Sequence, residues 1–147
     1  MGADCSIFHQ CLYFTSHSLC RAVARMAEEE FAVIGFSPSY AFILTLVDRE
    51  PGIMPKDLAE KLNLAPSTIT RFIDKLEHQG LLERRAEGRT ARIYLTEGGV
   101  TLRPTIASAW TALHNRYVAI LGQEAVQELI LAIDNAATKL NKAYDSR

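Results

Sequence analysis

The chain has little that would support covalent chemistry. Its three cysteines, Cys5, Cys11 and Cys20, form neither a paired framework nor a metal-ligand spacing. So sparse and odd a thiol count suits a reducing, cytoplasmic setting. The four histidines, His9, His17, His78 and His114, stand far apart with no HExxH-type pattern. There is no Ser-His-Asp arrangement and no glycine-rich loop of the kind that cradles phosphate, so no enzymatic activity, metal or cofactor is expected. No apolar run approaches the roughly 20 residues that a membrane span requires. The amino terminus lacks a basic region followed by an apolar stretch, so no signal peptide is expected either.

What is present is one domain's worth of chain, 147 residues with a net charge of −1. The distribution of charge is more informative than its sum. Residues 1–65 carry 5 Lys/Arg against 8 Asp/Glu, residues 66–96 carry 6 against 4, and residues 97–147 carry 5 against 5. The only net-positive segment is 66–96.

That segment belongs to a stretch, Ile53 to Thr96, around which the rest is organised. PKDLAEKL (55–62) places Leu58, Ala59 and Leu62 on one helical face, and PSTITRFIDKLEH (66–78) does the same with Ile69, Phe72, Ile73 and Leu76. Asn63-Leu64-Ala65 between them has the length of a helix-turn-helix turn. Pro66 suits a first helical position, and Gly80 suits a helix stop. The polar face of the second helix holds Ser67, Thr68, Thr70, Arg71, Asp74 and Lys75: short hydroxyls in the first turn, then two cations four residues apart. A helix entering a major groove needs short polar groups at closest approach and long cations where phosphates flank it. Leu81 to Arg85 and Ala91 to Leu95 read as strands, with Ile93 and Leu95 facing inward and Arg92 and Tyr94 outward. Ala86 to Thr90 forms the tip between them.

Before this module, Phe8, Leu12, Leu19, Val23 and Met26 predict one long helix over Cys5 to Phe31, ended by Gly35. Ser37-Pro38 gives a cap and a first-position proline for a helix through Arg49, with Tyr40, Ile43, Leu44 and Val47 buried. After it, Thr96 caps a helix running to Leu121, with Glu97 in its first turn and Pro104 bending it or delaying its start. Gly122 then breaks the pattern. A last helix, Glu124 to Tyr144, buries Val126, Leu129, Ile130, Ile133, Ala137 and Leu140. The expected fold is mainly α with a small β wing: a winged helix-turn-helix DNA-binding domain (36–96) plus flanking helices (1–35 and 97–147). Those helices either cover its back in a monomer or form a helical dimerisation region.

DLAEKLNLAPSTITRFIDKLEHQGLLERR followed by EGRTARIYLTEGG resembles the core of the MarR family of bacterial transcriptional regulators over about forty-five contiguous residues. The resemblance implies a homodimeric, sequence-specific regulator, a repressor more than an activator, on a near-palindromic DNA site. It assigns Ser67, Thr68, Thr70 and Arg71 to base edges and Arg71, Lys75, Arg84 and Arg85 to phosphates. The family's Asp-x-Arg wing signature corresponds to Glu87 and Arg89, with Arg89 in the minor groove. Ala65 stands where the family usually has a serine cap, a loss typically worth about 1 kcal/mol.

Two modes of control follow from the same resemblance. One is a small aromatic or phenolic effector in a crevice between the dimerisation helices and the winged domain, for which His17, Arg21, Tyr40 and Trp110 are candidate lining residues. The other is thiol sensing of peroxide at Cys11, with Tyr13 and Tyr40 nearby, or at Cys5. Outside this class, a winged helix can serve protein–protein assembly without DNA, a reading that the hydroxyl-rich helix face and arginine-tipped wing oppose.

Overall fold

The computed structural model describes residues 5–147; the Cys5 side chain, one of the two candidate thiols, lies outside the described residues. The helices are α1 (Leu12–Phe31), α2 (Pro38–Arg49), α3 (Pro55–Leu62), α4 (Pro66–His78), α5 (Glu97–Thr101), α6 (Arg103–Leu121) and α7 (Gln123–Asp145). Strands β1 (Leu82–Glu87) and β2 (Thr90–Leu95) form an antiparallel pair between α4 and α5. Among the described residues no single helix is long and apolar enough to cross a membrane. None of their His, Cys, Asp and Glu side chains form a group that could hold a metal ion.

The first helix is shorter than its apolar pattern predicts. Cys5–Gln10 is a 3-10 helix, closed by the Cys11 N–H on the Phe8 carbonyl at 3.0 Å. Cys11 itself is extended, and its carbonyl accepts the Thr15 N–H and hydroxyl that begin α1. Cys11 therefore precedes the helix that carries Cys20, and both thiols are free and exposed.

Proline, more than side-chain capping, starts the next three helices. Pro38, Pro55 and Pro66 each stand at the first position of α2, α3 and α4, where the missing N–H would have had no partner. Ser37 occupies the cap position of α2 without making the expected cap hydrogen bond, and Ala65 makes none for α4. The C-termini of α3 and α4 are closed instead by left-handed residues. Asn63 takes φ 54°, with Leu64 N–H on Ala59 O (3.0 Å) and Asn63 N–H on Glu60 O (3.2 Å). Gly80 repeats the arrangement at φ 74°, with Leu81 N–H on Leu76 O and Gly80 N–H on Glu77 O, both 2.9 Å. These are Schellman closures, and they set the exit directions of α3 and α4.

The core under these elements holds residues that helical and strand periodicity predict, Ile43, Leu44 and Val47 from α2, Leu58 from α3, Ile69, Ile73 and Leu76 from α4 and Ile93 from the hairpin, joined by Leu82 and by Phe31, which closes α1. Tyr40, Leu62, Phe72 and Leu95 are only half-buried. The wing runs in register from Leu82↔Leu95 to Glu87↔Thr90, so the expected five-residue tip shrinks to Gly88-Arg89. Gly88 at φ 64° permits that two-residue turn. The base of the wing is held by Ile53, which bridges Ile93, and by the Gly52 N–H on Ile93 O (2.9 Å).

Thr96 caps α5 as expected, accepting the Gly99 N–H at 3.2 Å. The predicted single helix to Leu121 is interrupted at Leu102, because Pro104, in the first turn of α6, cannot donate to the Val100 carbonyl. Of the described glycines, Gly98 and Gly99 lie closest to other backbone. A β-carbon on Gly98 would meet Gly80 O at 2.9 Å, and one on Gly99 would meet Leu81 O at 2.3 Å.

The chain divides into two compact units, one ending at Ala109 and the other Trp110–Arg147. In the second, Val126 is buried within the chain and the other apolar residues of the α7 stripe are not. Leu129, Ile130, Ile133 and Leu140 remain 38%, 55%, 48% and 59% exposed, and Ala137 is exposed as well. Val126, Leu129, Ile133, Ala137, Leu140 and Tyr144 fall within one narrow angular sector of α7 at 100° per residue. In the first unit, Leu12, Leu19 and Val23 make a similar exposed stripe on α1.

Candidate nucleic-acid interface

The face of α4 opposite Ile69, Ile73 and Leu76 is built from side chains too polar to bury. Ser67, Thr70, Arg71, Asp74 and Lys75 are exposed and Thr68 is half-buried. The Thr70 hydroxyl donates to the Pro66 carbonyl at 3.0 Å, leaving its lone pairs outward. Arg71 lies 5.8 Å from the ring centroid of Phe72, and the Lys75 ammonium stands 5.0 Å from that of Tyr40. Tyr40 in turn stacks on Phe72 with centroids 4.5 Å apart. A residue expected in an effector crevice is thus packed against the helix that carries the candidate DNA contacts.

The six cations of segment 66–96 separate into two groups. Arg84 donates to Glu77 Oε1 at 2.7 Å and also binds Asp74, while its own backbone N–H reaches Glu77 Oε2 at 3.1 Å. Partial burial works against the Arg84 charge, but the hydrogen bonds it donates to Asp74 and Glu77, with their negative charges, more than restore it and leave its pKa raised. Arg84, assigned to phosphate by resemblance, is therefore committed to tying the wing to α4. Its partner Asp74 lies on the same helix face as Arg71 and Lys75 and pairs with neither. Strand alternation turns Arg85 the other way, onto Glu83 (Nε to Oε1, 2.9 Å) and over the Tyr94 ring at 4.2 Å. Arg92 pairs with Glu87 and donates to Gly52 O at 3.0 Å. Arg71, Lys75 and Arg89 remain with no carboxylate partner among the described residues. They occupy the exposed face of α4 and the wing tip.

The Arg84 clamp gives a first expectation. Arg84→Met should weaken DNA binding by loosening the wing, while the slope of log affinity against log salt stays at the wild-type value. Each lost phosphate contact would lower that slope by about 0.9. A slope reduced by that amount, measured by fluorescence anisotropy across a salt series, would return Arg84 to the phosphate-contacting set.

The other sequence-derived candidates are dispersed. His17 is exposed on α1, its ring 4.1 Å from that of Tyr13 and its Nδ1 at 2.8 Å from the Tyr13 carbonyl; Arg21 is exposed one turn further on. Trp110 is half-buried in the second unit. A cavity of about 180 Å³ in the first unit is walled by Val47, Asp48, Pro51, Arg85, Tyr94, Leu95, Val100 and Arg103, none of them among the four expected pocket residues. Glu77 and Arg92 act as wing braces and Gly99 as the seat of α5 against Leu81. The strand alternation of Arg84 and Arg85 is the sequence signal for the first of these, and no local pattern in the sequence announces the other two.

Two helices at a tight turn, a polar-faced second helix and a hairpin seated beside it define a winged helix-turn-helix protein. Residues 36–93 match the model of the MarR family. It is 25% identical over 93 residues to the transcriptional repressor MdtR of Bacillus subtilis (strain 168), a match covering 61% of this chain and 60% of that repressor. A 54-residue stretch is 37% identical to riboflavin kinase of Thermococcus kodakarensis, over 26% of that enzyme. Among solved structures, the repressor CouR bound to a 23-mer DNA duplex superposes with a TM-score of 0.82 at 21% identity, covering 93% of this chain and 99% of that one. CouR from Rhodococcus jostii RHA1 bound to p-coumaroyl-CoA gives 0.76 at 23% identity, over 88% and 94%.

Proposed function

We propose that this chain is a sequence-specific DNA-binding transcriptional regulator that acts as a homodimeric repressor and is released by a small ligand. The observation that carries the reading is the set of cations left unpaired. The acidic side chains of segment 66–96 are taken by Arg84, Arg85 and Arg92, and Arg71, Lys75 and Arg89 are left for a polyanion. On this reading Ser67, Thr68, Thr70 and Arg71 meet base edges in the major groove. Arg71 and Lys75 flank them on phosphates, and Arg89 enters the adjacent minor groove. Arg85, stacked on Tyr94, reaches phosphate only by leaving Glu83.

The exposed stripes on α1 and α7 support the dimer. Apolar side chains in continuous stripes mark a surface meant for a partner, and a second copy of the chain is the occupant that would repeat the DNA-binding face. A two-fold pair presents two α4 helices to successive major grooves, about 34 Å apart, and favours a near-palindromic site. A small aromatic or phenolic ligand, by likeness to the CouR complex, would change that spacing, and a pair that no longer fits one duplex loses affinity at both half-sites.

Selection of bound DNA from a random pool tests the reading. A recovered inverted repeat supports it, and recovery of no sequence at low ionic strength ends it. Dimerisation has its own test. Leu129 and Ile133 are exposed in the single chain, where a change to glutamate costs little. Leu129→Glu and Ile133→Glu should therefore keep wild-type helix content while sedimenting as monomers, with DNA affinity reduced at least about a hundredfold by loss of the second half-site. A stable, fully competent dimer would refute the interface.

A further inference from the structure

We propose that Arg92 is the positioning residue of the wing: it takes Glu87 away from Arg89 and braces the tip against the turn before α3. The inference rests on the DNA-binding reading above. The next arginine after Glu87 in sequence is Arg89, two positions on. The structure joins Glu87 to Arg92 instead. Glu87 stands opposite Thr90, so Arg92 is its diagonal neighbour on β2. Diagonal positions lie roughly 7–8 Å apart, a span that two long side chains close and an aspartate closes less well. The Arg92 Nε is out of solvent and lies against the Glu87 carboxylate as an ion pair rather than as an aligned hydrogen bond.

The other end of Arg92 is anchored. Its Nη1 donates to Gly52 O at 3.0 Å, and Gly52 cannot shift easily. Its N–H is on Ile93 O at 2.9 Å, its φ is 85°, and the Tyr94 hydroxyl stands 2.8 Å from where a β-carbon would be. Arg92 is thus a strut from a fixed point at the wing base to the residue that precedes the tip. Its charge has a second effect. An unpaired Glu87 would draw the Arg89 guanidinium onto itself and repel phosphate; paired, it does neither.

Shortening Glu87 to aspartate is the sharpest test. On DNA selected by the wild-type protein, Glu87→Asp and Arg92→Met should each weaken binding about fivefold with an unchanged salt slope, and the double variant should bind no more weakly than either single one. Arg92→Lys, with one ammonium for two partners, should restore part of the loss. Glu87→Asp binding as tightly as wild type, multiplying effects in the double variant, or a slope lowered by about 0.9 in Arg92→Met would each overturn the proposal. Should the wild-type protein bind no DNA, the functional reading falls, and the pair is then read by heat. Melting-temperature shifts of Glu87→Gln and Arg92→Met that fail to add uphold the brace, and additive shifts refute it.

Discussion

Arg89→Ala should leave the protein folded and nearly abolish its hold on a cognate site. Arg89 is exposed at a two-residue turn and holds no carboxylate among the described residues, so its removal leaves no buried group unpaired and the melting temperature should move by no more than about 2 °C. A well-placed arginine contact is worth about 1–3 kcal/mol. Two wings on one duplex double that, which places the loss near a hundredfold or beyond. If the side chain displaces counterions, the salt slope falls as well, by about 1.8 for the pair of wings. Unchanged affinity at moderate salt would remove the wing from the interface, and a large drop in melting temperature would show that Arg89 serves the fold instead.

Gly99→Ala should do the opposite, damaging the fold before the function. The added β-carbon would sit 2.3 Å from the Leu81 carbonyl oxygen and 3.1 Å from Leu95 Cδ2. Backbone at that distance cannot step aside as a flexible side chain would. Relief requires parting α5 from the end of α4, where Gly99 is buried. Overpacking of this kind costs about 3 kcal/mol, which corresponds to roughly 10 °C for a chain of this length. Gly88→Ala is the control. It has open space around the new methyl group and suffers only the strain of its positive φ. A Gly99→Ala variant melting within about 2 °C of wild type would show that α5 moves freely, and the seat would lose its meaning.

The helices were legible because their apolar spacing and their prolines are local signals. PKDLAEKL and PSTITRFIDKLEH fold over the ranges that their periodicity predicts, and Gly80 takes the positive φ expected of it. What was not legible depended on pairing across distance. Periodicity does not reveal that Cys11 is extended, because a 3-10 helix and an α-helix place similar residues on one side over so short a run. Nor does composition tell a committed cation from a free one. Arg84, Arg85, Arg89 and Arg92 look equivalent in sequence and separate only when register sets their neighbours. The α7 stripe shows the converse. Its residues are apolar and regularly spaced, yet burial within one chain does not follow from either property.

The neck of the hairpin has a consequence of its own. Thr96 reaches back to Gly80 with its hydroxyl and to Leu81 with its amide, so residues 82–95 leave and rejoin the domain at one stapled point. A segment closed in this way behaves as a cassette. Its length can be altered by whole residue pairs at the Gly88-Arg89 apex, and the reach of the tip can be tuned against a given groove, without re-aiming the helix from which it springs.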